Sequence, residues 1–358
     1  MTTEELEHRD WHGYRLKWLQ GLYPGYFAMT MATGIISVGF DVLGMTRFSD
    51  FMAVMALLTF VAVCGVYAWR IAKFPGAVWG DLLNPRLTFN FFTFVAATCI
   101  VGMILYTHGY EKTAFAFWIL ALIAWAALLY CSFGVLTIFH REKGINIMDG
   151  AWLICIVGTQ SLVLLGLKVI TEVGEYDKLM MLCLFLLWGL GLMLYAILVV
   201  LFSYRIFFLE MKTEDYTPQM WVIMGAAAIS ANAGSGLDMA SPLITVLYEV
   251  HAVIDAIALL TWGWATWWIP LLLVIGFWRR YVKDIPFTYD PRQWSIVFPL
   301  GMYTVASYQI SLAAEFEPLH QVSHYMIWAA IFVWSLLMIA LLRRIFAWLF
   351  LKRPVSAS

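Results

Sequence analysis

The chain has 358 residues, 63% hydrophobic and only 13% charged, with a formal net charge of −1 and a mean hydropathy of +0.80. So little charge excludes a soluble domain of this length, and the near-neutral balance gives nucleic acid nothing to bind. The composition is that of an integral membrane protein whose first partner is the lipid bilayer.

Residues 1–23 are charged for about ten residues and then amphipathic. They lack the apolar core and small-residue cleavage site of a signal peptide and read as a cytoplasmic segment. Apolar runs long enough to span hydrocarbon follow at 24–42, 51–69, 89–106, 114–139, 150–168, 179–208, 219–237, 254–278, 293–313 and 324–349. They predict an all-α membrane domain of ten transmembrane helices over 24–349, with a cytoplasmic tail at 350–358. Under this topology the inner segments hold eighteen of the 22 Lys and Arg residues; only Arg47, Lys112, Lys168 and Lys178 lie outside. Cytoplasmic loops carry such an excess, so a multi-pass protein of the cell membrane with both termini inside is expected.

The odd-numbered spans carry 19 Ser, Thr, Asn and Gln residues, the even spans 7. The even spans are greasier and rich in bulky aromatics, a lipid-facing composition, so odd helices are predicted inside and even helices outside. Odd spans begin near 24, 89, 150, 219 and 293, a coarse repeat of five helical hairpins. Glycine and proline follow the odd spans, and Pro24, Gly34, Pro299 and Gly301 are expected to kink them.

In span one Thr30, Thr33, Gly34 and Ser37 stand at i, i+3, i+4 and i+7 and share one stripe. Such a stripe serves either helix packing or a lumen. Span seven, "GAAAISANAGSG" at 225–236, is small enough to leave its backbone open, which favours a lumen. The expected lining residues are Thr30, Thr33, Ser37, Thr98, Gln160, Ser230, Asn232 and Thr304. No Lys or Arg lies deep in a span, which favours passive passage. His251 and Asp255, four apart at the outer end of span eight, are either a solvated mouth or a proton-linked site.

The five cysteines fall singly in separate apolar runs and suggest neither disulfide nor metal site. None of the seven histidines lies mid-span, which argues against a haem, and HExxH, GxSxG and Walker motifs are absent. Neither a cofactor nor an enzyme activity is expected.

"PGYFAMTMATGIIS" in span one and "WSIVFPLG" at 294–301 in span nine together resemble the tellurite-resistance/dicarboxylate transporter family, the TehA-like proteins that include plant slow-type anion channels. The resemblance implies a pseudo-fivefold ring of hairpins around a central pore, commonly a homotrimer, with Phe298 as the plug beside Pro299. It implies passage of small inorganic anions or C4-dicarboxylates. The alternatives are a proton-coupled dicarboxylate, sulfite or tellurite exporter using His251 and Asp255, and a non-conducting membrane receptor or scaffold.

Overall fold

The structure, a computed structural model, describes residues 13–139, 147–212, 215–240, 248–285 and 288–350. Most of the charged N-terminal segment and the tail after 350 lie outside the described residues; of the segment, residues 13–20 are helical.

Hydrocarbon cannot hydrogen-bond a peptide group, so each apolar run closes its own ladder as a helix. The long helices are α1 (Phe27–Val42), α2 (Thr46–Lys73), α3 (Phe92–Thr107), α4 (Glu111–Gly134), α5 (Ile154–Val169), α6 (Asp177–Phe208), α7 (Val222–Met239), α8 (His251–Phe277), α9 (Trp294–Ala313) and α10 (Glu317–Phe350). A short helix, Pro75–Leu82, links α2 to α3.

Tight connections fold the early helices into hairpins. Gly44 and Gly109 adopt φ of 74° and 82°, a conformation only glycine takes without strain, and turn α1 into α2 and α3 into α4. Nine continuous helical stretches among the described residues are long and apolar enough to cross a membrane, and one of them runs for 59 residues from Gly150 to Phe208. That stretch would be about 88 Å long if straight, nearly three hydrocarbon thicknesses. It instead breaks at Gly174, and α5 and α6 pack against each other as a hairpin.

The packing order is cyclic. α1 touches α3, α3 touches α5, α5 touches α7, α7 touches α9, and α9 returns to α1. Each even helix packs against its hairpin partner and also against the next odd helix, α10 closing on α1. Burial follows: 72 to 89% of the apolar windows of α1, α3, α7 and α9 are buried, against 22 to 33% in α2, α4, α8 and α10. The polarity difference between the two sets therefore marks inner and outer helices.

Five tryptophans of the even helices depart from the lipid-facing expectation, while Trp69, Trp264, Trp267 and Trp328 are exposed as expected. Trp118 and Trp125 of α4 donate to Leu162 O and Thr159 Oγ1 of α5 at 3.0 and 2.8 Å. Trp188 of α6 donates to Ser230 O of α7, Trp262 of α8 to Ser307 Oγ of α9, and Trp334 of α10 to Thr33 Oγ1 of α1. An indole has one N–H to satisfy and a large apolar body, so it pins an outer helix to the inner helix of the following hairpin.

Of the residues expected to kink the odd spans, Pro24 opens a 3₁₀ turn and stands beside non-helical backbone at Gly25, and Gly34, Pro299 and Gly301 lie within continuous helix. Gly34 and Gly301 instead admit Ile100 of α3 and Ile35 of α1.

Candidate functional site

All five odd helices start the same way. Each is preceded by one 3₁₀ turn: Pro24–Tyr26, Thr88–Phe91, Gly150–Leu153, Pro218–Trp221 and Pro291–Gln293. Three of these turns carry proline at the first position, where a missing N–H costs nothing. The turns touch one another in the same cyclic order as their helices, so the five odd helices run parallel and begin at one end.

A cavity of about 420 Å³ occupies that end, lined among others by Tyr23, Arg86, Asn90, Asp149, Arg205, Asp215, Gln219, Asp290 and Arg292. At its floor Tyr23 donates to Asn90 Oδ1 at 2.6 Å, and Gln219 Nε2 donates to both Tyr23 Oη and Asn90 Oδ1 at 2.8 and 2.7 Å. Burial and the nearby Asp149 charge push the Tyr23 phenol well up, so it remains a donor. Arg205, 5% exposed, donates to Met148 O and pairs with Asp215 at 3.0 Å. Arg292 holds Asp290 through a fork, Nη2 to Oδ2 at 2.5 Å. Burial pushes the Asp149 carboxyl up to about 6, against the opposing pull of the Ala151 N–H, Arg205, Arg292 and Arg86.

Three arginines and three aspartates cancel. The tie is broken by the helix termini, each of which carries roughly +0.5 charge at its N-terminal end. Side chains cap only the turns at Asp149 and Asp290; the turns starting at Pro24, Thr88 and Pro218 have no side-chain cap. First-turn amides left free are donors to an anion, and the helix termini add positive potential to a vestibule whose side-chain charges balance.

Deeper in, contacts fix which way each helix faces. On α9, Pro299 meets Gly225 of α7 and Gly301 meets Ile35 of α1. Tyr303 and Ser307 bond to Thr266 and Trp262 of α8. At about 100° per residue this leaves Phe298 directed away from α8, between α1 and α7, into the interior of the cycle. Its side chain is fully buried there. On α5, Thr159 accepts from Trp125 of α4 and Gln160 donates to Trp188 O of α6, so both face outer helices. Ser161, one step further round, faces inward, is buried, and its hydroxyl has no hydrogen-bond partner. Asn232 of α7 reaches Met302 Sδ of α9 at 3.7 Å, on the same inner side.

The remaining expected lining residues have hydrogen-bond partners within the protein. Thr30 donates to Thr59 of α2, Ser37 to Ser49 O of α2, and Thr33 to Met29 O while accepting from Trp334. The span-one stripe thus serves the seam between inner and outer helices, because there its hydroxyls find protein partners. Thr98, Ser230 and Thr304 each bond back to the carbonyl four residues earlier. Thr304 also lies on the α1 side of α9, where its methyl would meet a Cβ at Gly39.

Sequence reasoning missed the vestibule and Ser161. A signal for the first was present: every odd span opens on a short polar-and-aromatic turn, "YPGY", "TFNF", "DGAW", "TPQMW" and "DPRQW".

At the opposite end, His251 Nδ1 lies 3.8 Å from Asp238 Oδ1, the last turn of α7 facing the first of α8.

Comparison with known proteins is consistent along the chain. The sequence profile of the family described as voltage-dependent anion channel matches residues 21–342. An uncharacterised membrane protein of Mycobacterium tuberculosis is 31% identical over 40% of this chain and 72% of its own. An uncharacterised transporter of Methanocaldococcus jannaschii is 22% identical over 93% of this chain and 96% of its own, and a sulfite efflux pump of Arthroderma benhamiae 21% identical over 82% of each.

Proposed function

This chain belongs to the voltage-dependent anion channel family, and on that premise we propose that it carries small anions through the interior of its odd-helix cycle, with Phe298 as the constriction. It is a multi-pass membrane protein for anion transport and not an enzyme. The finer reading is ten crossings of the cell membrane, with the domain at 24–349, both termini and the vestibule on the cytoplasmic side, and five hairpins forming a pseudo-fivefold ring around the pathway. The parallel start of the odd helices and the crowding of Arg70, Arg86, Arg205 and Arg292 near that end support it.

The observation that supports the proposal is a cavity lined by Arg86, Arg205 and Arg292 at the end where the odd helices begin, with Phe298 buried deeper between α1 and α7. An anion gathered by the arginines and helix ends meets an apolar side chain that closes the path by steric block and dewetting. Beyond it, the Ser161 hydroxyl and the Asn232 amide offer neutral donors, suited to weak, size-based selection among inorganic anions and C4-dicarboxylates. Homotrimeric assembly, one pathway per subunit, is the family expectation carried into this proposal. Sulfite is a second substrate candidate, favoured by the similarity to sulfite efflux pumps.

Reconstitution into liposomes tests the reading. Wild-type protein is expected to pass chloride or malate slowly, and Phe298→Ala to pass them several-fold faster at equal incorporation. Equal flux from a folded variant would remove Phe298 as the constriction; no anion flux from either would overturn the transport reading itself.

A further inference from the structure

At the end of the bundle away from the vestibule, Asp238, His251 and Asp255 converge from α7 and α8. One ligand atom from each lies within 4.8 Å of the other two. His251 and Asp255 are four residues apart on one helix face, a fixed pair. Asp238 enters from the inner helix α7, and its Oδ1 is closed to solvent yet makes no hydrogen bond. The last turn of α7 carries no basic residue to offset Asp238, although the carbonyl end of a helix is its negative end. Two carboxylates, one imidazole and a negative helix terminus therefore meet without a cation among the described side chains around them.

We propose that Asp238, His251 and Asp255 bind a divalent transition-metal ion of the Zn²⁺ type at the outer mouth. Zinc accepts imidazole nitrogen and carboxylate oxygen at about 2.0–2.2 Å, which places tetrahedral ligand atoms about 3.3 Å apart. Closing from the present separations calls on His251, which is half exposed, and Asp255 to turn toward Asp238 on the last turn of α7. Three protein ligands leave the fourth position to water. Calcium and magnesium are poorly served, since they require six or more oxygens and gain nothing from the imidazole. The ion clamps an inner helix to its outer partner, and its binding is independent of the route anions take.

The test uses tag-free protein purified in detergent, stripped with a chelator and titrated with zinc chloride alone. One zinc per chain is expected by metal analysis, with a saturable rise in melting temperature that millimolar calcium or magnesium does not produce. Asp238→Asn and His251→Ala should each weaken binding at least about tenfold. His251→Cys, which restores a zinc ligand at the same place, should recover it, separating coordination from folding. No saturable effect of zinc on the wild type, or undiminished binding in Asp238→Asn and His251→Ala, would overturn the proposal.

Discussion

Pro299 of α9 rests directly on Gly225 of α7: a Cβ built at position 225 would lie 2.8 Å from the proline Cγ and 3.3 Å from its Cα. A ring fused to backbone cannot swing aside, so any side chain at 225 displaces the segment that carries Phe298. Gly225→Ala is therefore expected to cost about 1–3 kcal/mol, as overpacked cores do. It should also change anion flux. Gly65→Ala on α2, where a Cβ meets nothing within 4 Å, serves as control. Thermal unfolding in detergent and liposome flux check both, and a neutral Gly225→Ala would contradict the packing described for α7 and α9.

Acidification of the vestibule side should raise anion flux. The Asp149 carboxyl, pushed up to about 6 by burial, is ionised above that pH and neutral below it. Its negative charge opposes Arg86, Arg205 and Arg292 in the same cavity, and protonation removes it. The sign for stability agrees: the folded protein holds this proton more tightly than the unfolded chain, so the group's stabilising contribution is present near pH 4 and lost as pH rises through about 6. Asp149→Asn should show the acid level of flux at pH 7.5 and lose the transition; a transition that persists in the variant assigns it to another group.

Ser161→Ala and Thr33→Val should separate pathway from seam. The Ser161 hydroxyl is unpartnered and faces inward, so its loss should lower flux with little effect on stability. Thr33 accepts the Trp334 indole, and its replacement strands a buried donor at a cost of about 1–3 kcal/mol, with flux per folded molecule preserved. The reverse pattern would exchange the two roles.

Charge reversal at Arg86 should act through the field alone. The residue is exposed at the cavity rim, and Arg86→Glu turns a local +1 into −1 without emptying packed space. Flux should fall strongly at low ionic strength, and much of the loss should vanish at 1 M salt, where the Debye length is about 3 Å. A deficit independent of salt would point to a structural cause.

The division into inner and outer helices was legible because burial in a bilayer selects composition: "GAAAISANAGSG" can only be an inner segment, and "AVMALLTFVAV" only an outer one. Which side of an inner helix faces the interior was not legible. A hydroxyl at Thr30 or Thr33 is equally content with water, a carbonyl four residues back or an indole across the seam, and the partner lies on another helix. Helical spacing also failed to set Ser161 apart from Thr159 and Gln160, since three consecutive polar residues point in three directions. The vestibule was hidden for a different reason. Its aspartates and arginines read as ordinary loop charges until the five turns are brought side by side.

The hydrogen bond from Trp334 to Thr33 joins residues 301 positions apart. During synthesis the first inner helix waits with that flank uncovered until nearly the whole polypeptide has been made. The last helix is thus the keystone of the assembly. A chain that stops before it leaves an open arc, with Thr33 and its flank of α1 turned toward lipid, and membrane quality control has a defined exposed surface by which to recognise an unfinished molecule.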